Sequence, residues 1–287
     1  MHCHAVGFMN PVFNIFEVLM ALLVIFCFMH ARNHGKARLI ELTALIIYGV
    51  MLEELTILFF REYTYGTDFL LMVKDVPVGI GLGWAAIIYS AMETSDRLGI
   101  PASLRPMFDT LLALNIDLSM DAIAIRVGFW NWTNGGGWFG VPYGNFFGWI
   151  CVVFFFSLTA RWLREHPPKS DYKRIAALLA GSLVPLLVSL EIWVEFVPII
   201  LTGAIVAAIL FAFLVAVLLK TKGRFGAGNP DYRLLAVPIV FHVFFLAVLF
   251  AEGIYLQVPA LIPISLGMLL LGLAGHFPGS LTRAVKN

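Results

Sequence analysis

Asp117 and Asp121 stand one helical turn apart near the end of an apolar segment, and their type and spacing suit chemistry. Positions i and i+4 project from the same face of a helix. Two carboxyls held that close in a low dielectric cannot easily both ionise, so one keeps a proton at neutral pH. A general acid then stands beside a general base. Acids inside apolar segments are costly and mark a functional site by default. The structural alternative is that the pair caps neighbouring helices or binds Arg126.

A turn rich in Trp, Gly and Asn follows, with Gly128-Phe-Trp130-Asn-Trp132 and then Gly140-Val-Pro142-Tyr143-Gly-Asn145. Aromatics at such a place either form an interfacial belt or line a site with π faces that stabilise a cation. We assign Trp138 to the belt and Trp130 and Trp132 to the lining, with Tyr143 and Trp149 beside them. Asn145, at the start of the next apolar segment, either caps that helix or holds a water. Asn134-Gly-Gly-Gly137 reads as a flexible turn, and without a following Lys-Ser/Thr it is no phosphate loop.

Further acids lie in other apolar segments. Glu53 and Glu54 are adjacent, hence about 100° apart on a helix, so one of them faces a shared site. Glu191 and Glu195 repeat the i, i+4 spacing nearer a surface. Glu17 and Glu252 complete the set. Other features point away from chemistry. Gly79-Ile-Gly81-Leu-Gly83 lacks dinucleotide-loop spacing and reads as close helix packing. His30 and His34 have no third ligand nearby, so no metal site is expected. His242 reads as a bonded core residue. No lysine lies within an apolar segment, which argues against a Schiff base. Cys3, Cys27 and Cys151 form no disulfide or metal pattern.

These residues must be positioned by membrane helices. Of 287 residues, 60% are hydrophobic and only 13% charged, with mean hydropathy +0.89, whereas soluble domains carry about a quarter charged residues. The fold class expected is all-α, a polytopic transmembrane helical bundle forming one integral membrane domain over 1–287. The apolar runs are too long for a transmembrane barrel, and a net charge of +1 suggests no nucleic-acid partner. Runs of about 20 apolar residues cross a bilayer. Nine are found, at 11–31, 38–60, 78–95, 106–127, 144–163, 174–195, 198–220, 233–255 and 258–276, with a count of eight left open by the boundary at Phe196-Val197-Pro198. Pro198 and Pro259 mark tight turns that start helices. The first run has neither a preceding Lys or Arg nor a cleavage site, so it reads as a span and not a signal peptide.

Sixteen of the 19 Lys and Arg fall in one set of alternate loops, the last two being Arg283 and Lys286; Arg61, Lys74 and Arg126 fall on the other side. The positive-inside rule then places the N-terminus outside and the C-terminus in the cytoplasm. On that orientation Glu17, Glu53, Glu54, Asp117, Asp121, Glu191, Glu195 and Glu252 share the outer half of the membrane, which suggests an acidic cavity between helices.

Asp117-x3-Asp121, Gly128-x-Trp130-x-Trp132 and Gly140-Val-Pro142-x2-Asn145-x2-Gly148-Trp149 resemble the membrane carotenoid-biosynthesis hydratases, namely the carotenoid 1,2-hydratases of the CruF type and the bisanhydrobacterioruberin hydratases. That family often has Pro after the second Asp, where this chain has Ala122. Glu53-Glu54 followed by aromatics is also similar to a motif of small membrane lycopene cyclases, with Leu52 in place of its Pro. The first resemblance implies a cofactor-independent hydro-lyase in a prokaryotic cell membrane. Its substrates would be water and a lipid-soluble acyclic carotenoid or related isoprenoid. A terminal 1,2 double bond is protonated to a tertiary cation, and water captures it. Catalytic roles then fall to Asp117, Asp121, Glu53 and Glu54, with Asp121 as donor and Asp117 as partner, or the reverse. Substrate contacts fall to Trp130, Trp132, Asn145, Tyr143, Arg126 and Glu191. The second resemblance implies a cyclase or isomerase using the same acid. A proton-coupled transporter is the non-enzymatic alternative.

Overall fold

The structure is a computed structural model that describes residues 10–223, 225–226 and 231–277; Cys3, Arg224, Arg283 and Lys286 lie outside these. Helices dominate it: α1 (Pro11–Asn33), α2 (Lys36–Phe60), α3 (Val78–Arg97), α4 (Arg105–Val127), α5 (Tyr143–Glu165), α6 (Asp171–Phe196), α7 (Thr202–Thr221), α8 (Tyr232–Ala251), the single turn α9 (Ile254–Gln257) and α10 (Leu261–His276). Four short strands interrupt them, β1 (Tyr63–Tyr65), β2 (Met72–Val73), β3 (Val76–Pro77) and β4 (Trp130–Trp132). Among the described residues, nine helices of 16 residues or more overlap the apolar segments read from the sequence.

Among the described residues, six helices are long and apolar enough to cross a membrane: α1, α2, α5, α6, α8 and the stretch Ile199–Thr221 that contains α7. The other three differ for physical reasons. α10 is apolar but has only 16 residues. α3 and α4 are more polar because they lie inside the bundle, where neighbours satisfy their side chains. α3 buries Ser90, Glu93, Thr94 and Ser95, and α4 buries Asp109, Thr110, Asp117, Ser119 and Asp121. The expected eighth segment, 233–255, is not one helix. α8 stops at Ala251, and Gly253 takes a left-handed φ of 65° that turns the chain into α9.

Two glycines bring α2 and α3 into backbone contact. A Cβ on Gly49 would lie 2.7 Å from the Gly81 carbonyl oxygen, and one on Gly81 would lie 2.5 Å from Val50 Cγ2. The close packing read from Gly79–Gly83 is therefore present. His242 is likewise a bonded core residue, with Nε2 3.0 Å from Asn115 Oδ1 and Nδ1 3.2 Å from Ser119 Oγ.

The loops gather at two ends. At one end β1 and β4 pair antiparallel, Tyr63 opposite Trp132 and Tyr65 opposite Trp130, joining the loops after α2 and α4. Glu17 of α1 accepts the backbone N–H groups of Leu70 and Leu71 in the same region, at 2.8 and 3.2 Å. At the other end five arginines and four acids interlock. Arg164 meets Glu41 at 2.6 Å and Asp96 at 2.7 Å. Arg38 meets Glu93 at 2.6 Å, Arg105 meets Asp96 at 2.9 Å, and Arg174 meets Glu41 at 3.1 Å. Arg161 joins Asp96 and, at 2.8 Å, the buried Asp109.

Candidate active site

The last turns of α4 carry Asp117 and Asp121 into the interior, where both are almost wholly buried. α4 ends at Gly128, whose left-handed φ of 87° turns the chain sharply into β4. After β4 a glycine turn leads back to Pro142, which fixes the start of α5. The first turn of α5 thereby sets Asn145 against the two acids. Its Nδ2 donates to Asp121 Oδ2 at 2.5 Å and to Asp117 Oδ2 at 3.3 Å. One amide group therefore holds both carboxyls. Of the two roles read for Asn145, neither helix capping nor water alone describes this position.

Glu53 comes from α2. The Tyr63 hydroxyl donates to its Oε2, and Trp84 Nε1 of α3 donates to its Oε1 at 2.6 Å. Thr56 Oγ1 lies 2.8 Å from the same tyrosine hydroxyl and 3.0 Å from the Glu53 carbonyl. An indole N–H only donates, so Oε1 of Glu53 is held as an acceptor.

Between these groups lies a cavity of about 710 Å³. Glu53, Asp121 and Asn145 line it, with an aromatic wall of Trp84, Trp130, Trp132, Tyr63, Tyr65, Tyr143, Trp149 and Trp193. The rings pack on one another: Trp84 and Trp149 have centroids 4.1 Å apart, and Tyr63 and Trp132 have centroids 4.9 Å apart. Trp132 Nε1 is buried with no hydrogen-bond partner among the described residues. Buried polar atoms of this kind usually take a partner.

The other candidates lie elsewhere. Asp117 sits behind Asp121 and does not line the cavity. Glu54 turns outward and pairs with Lys74 at 3.0 Å. Arg126 donates to the carbonyls of Ala122 and, at 2.9 Å, Phe139, so it holds the turn after α4 and does not reach the cavity. Trp138 also lies off the lining, donating to the Leu118 carbonyl at 3.0 Å. Glu191, Glu195 and Glu252 are exposed and outside the lining. The acidic cavity of eight carboxylates thus shrinks to two of them, Glu53 and Asp121, joined by Glu62. Position in one half of the membrane does not fix which face of a helix an acid occupies. In the turn expected to be flexible, Gly136 pairs with Gly140, and a Cβ on Gly136 would lie 2.0 Å from the Val141 carbonyl oxygen, so that position admits no side chain.

Sequence reading missed Tyr63, Tyr65 and Trp84. A signal existed for the tyrosines: Tyr63-Thr-Tyr65 and Trp130-Asn-Trp132 both alternate with the period of a strand. The two segments pair with each other.

A buried pair of carboxyls bridged by one amide, a third carboxyl held as an acceptor and a wall of π faces suit acid-initiated chemistry on an apolar, electron-rich substrate. Residues 9–219 match the model of a family described as carotenoid biosynthesis protein. The chain belongs to that family. The matched stretch holds every residue that lines the cavity except Phe241. No curated protein and no solved structure matches the chain. As a carotenoid-biosynthesis protein with six apolar membrane-length helices, it is an integral membrane protein that acts on lipid-soluble isoprenoid chemistry.

Proposed function

We propose that this carotenoid-biosynthesis protein is a cofactor-independent hydratase of the terminal 1,2 double bond of an acyclic carotenoid or related isoprenoid. The observation that carries the reading is the shared hydrogen bonding of Asp117 and Asp121 to Asn145 at an apolar, aromatic-walled cavity. Asp121 faces the cavity and gives its proton to the less substituted alkene carbon. The π electrons form the new C–H bond, and the neighbouring carbon becomes a tertiary cation. Trp130 and Trp132 stabilise that cation through their ring faces. Water attacks the cation, forms the C–O bond and loses a proton, which restores the carboxyl pair. The product is a tertiary alcohol, and the net change is the addition of one water.

Glu53 supports the water half of the reaction. It stands on another helix from the aspartates, with one oxygen held as an acceptor by Trp84. We further propose nine spans in a prokaryotic cell membrane, with the charge cluster of Arg38, Arg164 and their partners on the cytoplasmic side, as the positive-inside rule requires.

The test is expression in cells that accumulate lycopene, followed by the masses of the pigments formed. Hydration adds one water at each reacted end. An unchanged mass with altered retention instead identifies a cyclase or isomerase using the same acid. Asp117→Asn and Asp121→Asn are expected to fold and insert normally and to lose turnover, read as product formed per unit of inserted protein. Full activity in both variants would overturn the assignment.

A further inference from the structure

The mouth of the cavity has two chemically different edges. Residues that both line the cavity and are exposed mark where it opens. One group, Asn134, Gly135 and Gly137, belongs to the turn after β4, and Glu62 stands on the lining with it. This edge offers a carboxyl, an amide and bare backbone. The other group, Val194 and Ile199, lies where α6 passes towards α7, with Val197 between them. The cavity-facing side chains Val194, Val197 and Ile199 at this edge are hydrocarbon.

The apolar edge continues outwards. Phe196, Ile199 and Ile200 are 77%, 88% and 86% exposed. A patch of that kind facing water would be unfavourable, and next to a cavity it marks contact with an apolar partner. The helices explain the gap. α2 and α6 start side by side, where Lys36 meets Asp171 at 2.7 Å and Arg174 meets Glu41. From there α6 buries one face as far as Leu186, but beyond it only Trp193 is buried. In that upper half α2 and α6 both face the cavity, through Thr56 and Phe60 on one and Leu190 and Val194 on the other.

We propose that the edge formed by Val194, Val197 and Ile199 is a lateral portal. One end of a long hydrocarbon chain passes through it from the bilayer, while water arrives past Glu62 and Asn134. The water half rests on the hydratase reading; the portal itself does not. The reacting end sits at Asp121 and the remainder of the chain stays in lipid. Recognition is therefore of the chain end, not of the total chain length.

The experiment uses the full chain in lipid nanodiscs with lycopene as the probe. Bound pigment and water addition are measured separately. Val194→Trp and Ile199→Trp narrow the portal, and Leu219→Trp, at an exposed site on α7 away from the cavity, is the control. The expected result is that the two portal variants hold lycopene about tenfold more weakly than the wild type while the control does not change. Equal lycopene loading in all four proteins, or none in the wild type, would overturn the portal. Portal-dependent loading without water addition supports the portal and removes the hydratase reading. Water addition at undiminished rate in both portal variants removes the portal and leaves the hydratase reading standing.

Discussion

Asn145 determines how two buried aspartates behave. Its amide donates to one oxygen of each, while Asp117 Oδ1 is buried with no partner among the described residues. Hydrogen bonds to charged groups contribute about 1.5–3 kcal/mol. Asn145→Leu is therefore expected to lower the hydration rate about ten- to a hundredfold, with lycopene binding little changed. Asn145→Gln, which keeps the amide but moves it by one methylene, should recover little of that loss; a rate assay beside a pigment-binding assay separates the two effects. At this scale the helical period made the aspartates legible, because i and i+4 share a face whatever surrounds them. The partners of Glu53 were not legible. Trp84 is 31 positions away and meets it only because α2 and α3 pack side by side. Glu191 misled for a related reason: its spacing to Glu195 is the same as in the aspartate pair, but that face of α6 points away from the bundle.

At the scale of elements, α2 and α3 owe their contact to two missing side chains. Gly81→Val is expected to separate the helices, since its Cβ alone would press on Val50, and to lower the thermal midpoint by several degrees or prevent insertion. Gly267→Val, on α10 where nothing lies within 4 Å of an added Cβ, should leave the midpoint nearly unchanged. Thermal unfolding of the purified proteins in detergent checks the pair. Elements were largely legible because apolar runs of membrane length are hard to mistake. The break between α8 and α10 was legible, but not its place: the sequence puts it at 255–258, whereas α8 stops at Ala251, where Gly253 takes a left-handed φ. The short strands were hidden for a different reason. β1 and β4 lie in separate loops, and their pairing exists only once α2 and α4 stand near each other.

The whole molecule divides its labour between its two ends. One end is a lattice of ion pairs that bolts α2, α3, α4, α5 and α6 together. Removing one member of a buried pair costs about 3–5 kcal/mol, because the opposite charge is left without compensation. Glu41→Leu takes from Arg174 its carboxylate partner, leaves Arg164 with Asp96 and Glu93, and is expected to destabilise the bundle on that order; the unfolding midpoint in detergent measures it, with Lys36→Ala at the exposed pair to Asp171 as a near-neutral comparison. The other end keeps its basic residues few and its aromatics many, and it is there that the cavity opens. The ribbon of β1 and β4 spans that end and ties α2, which bears Glu53, to α4, which bears Asp121. Bilayers of different thickness tilt the helices within them. A backbone tie across the tops of two helices makes them lean as a unit, so it works as a calliper: the gap between the carboxyls is set by the protein and not by the lipid around it.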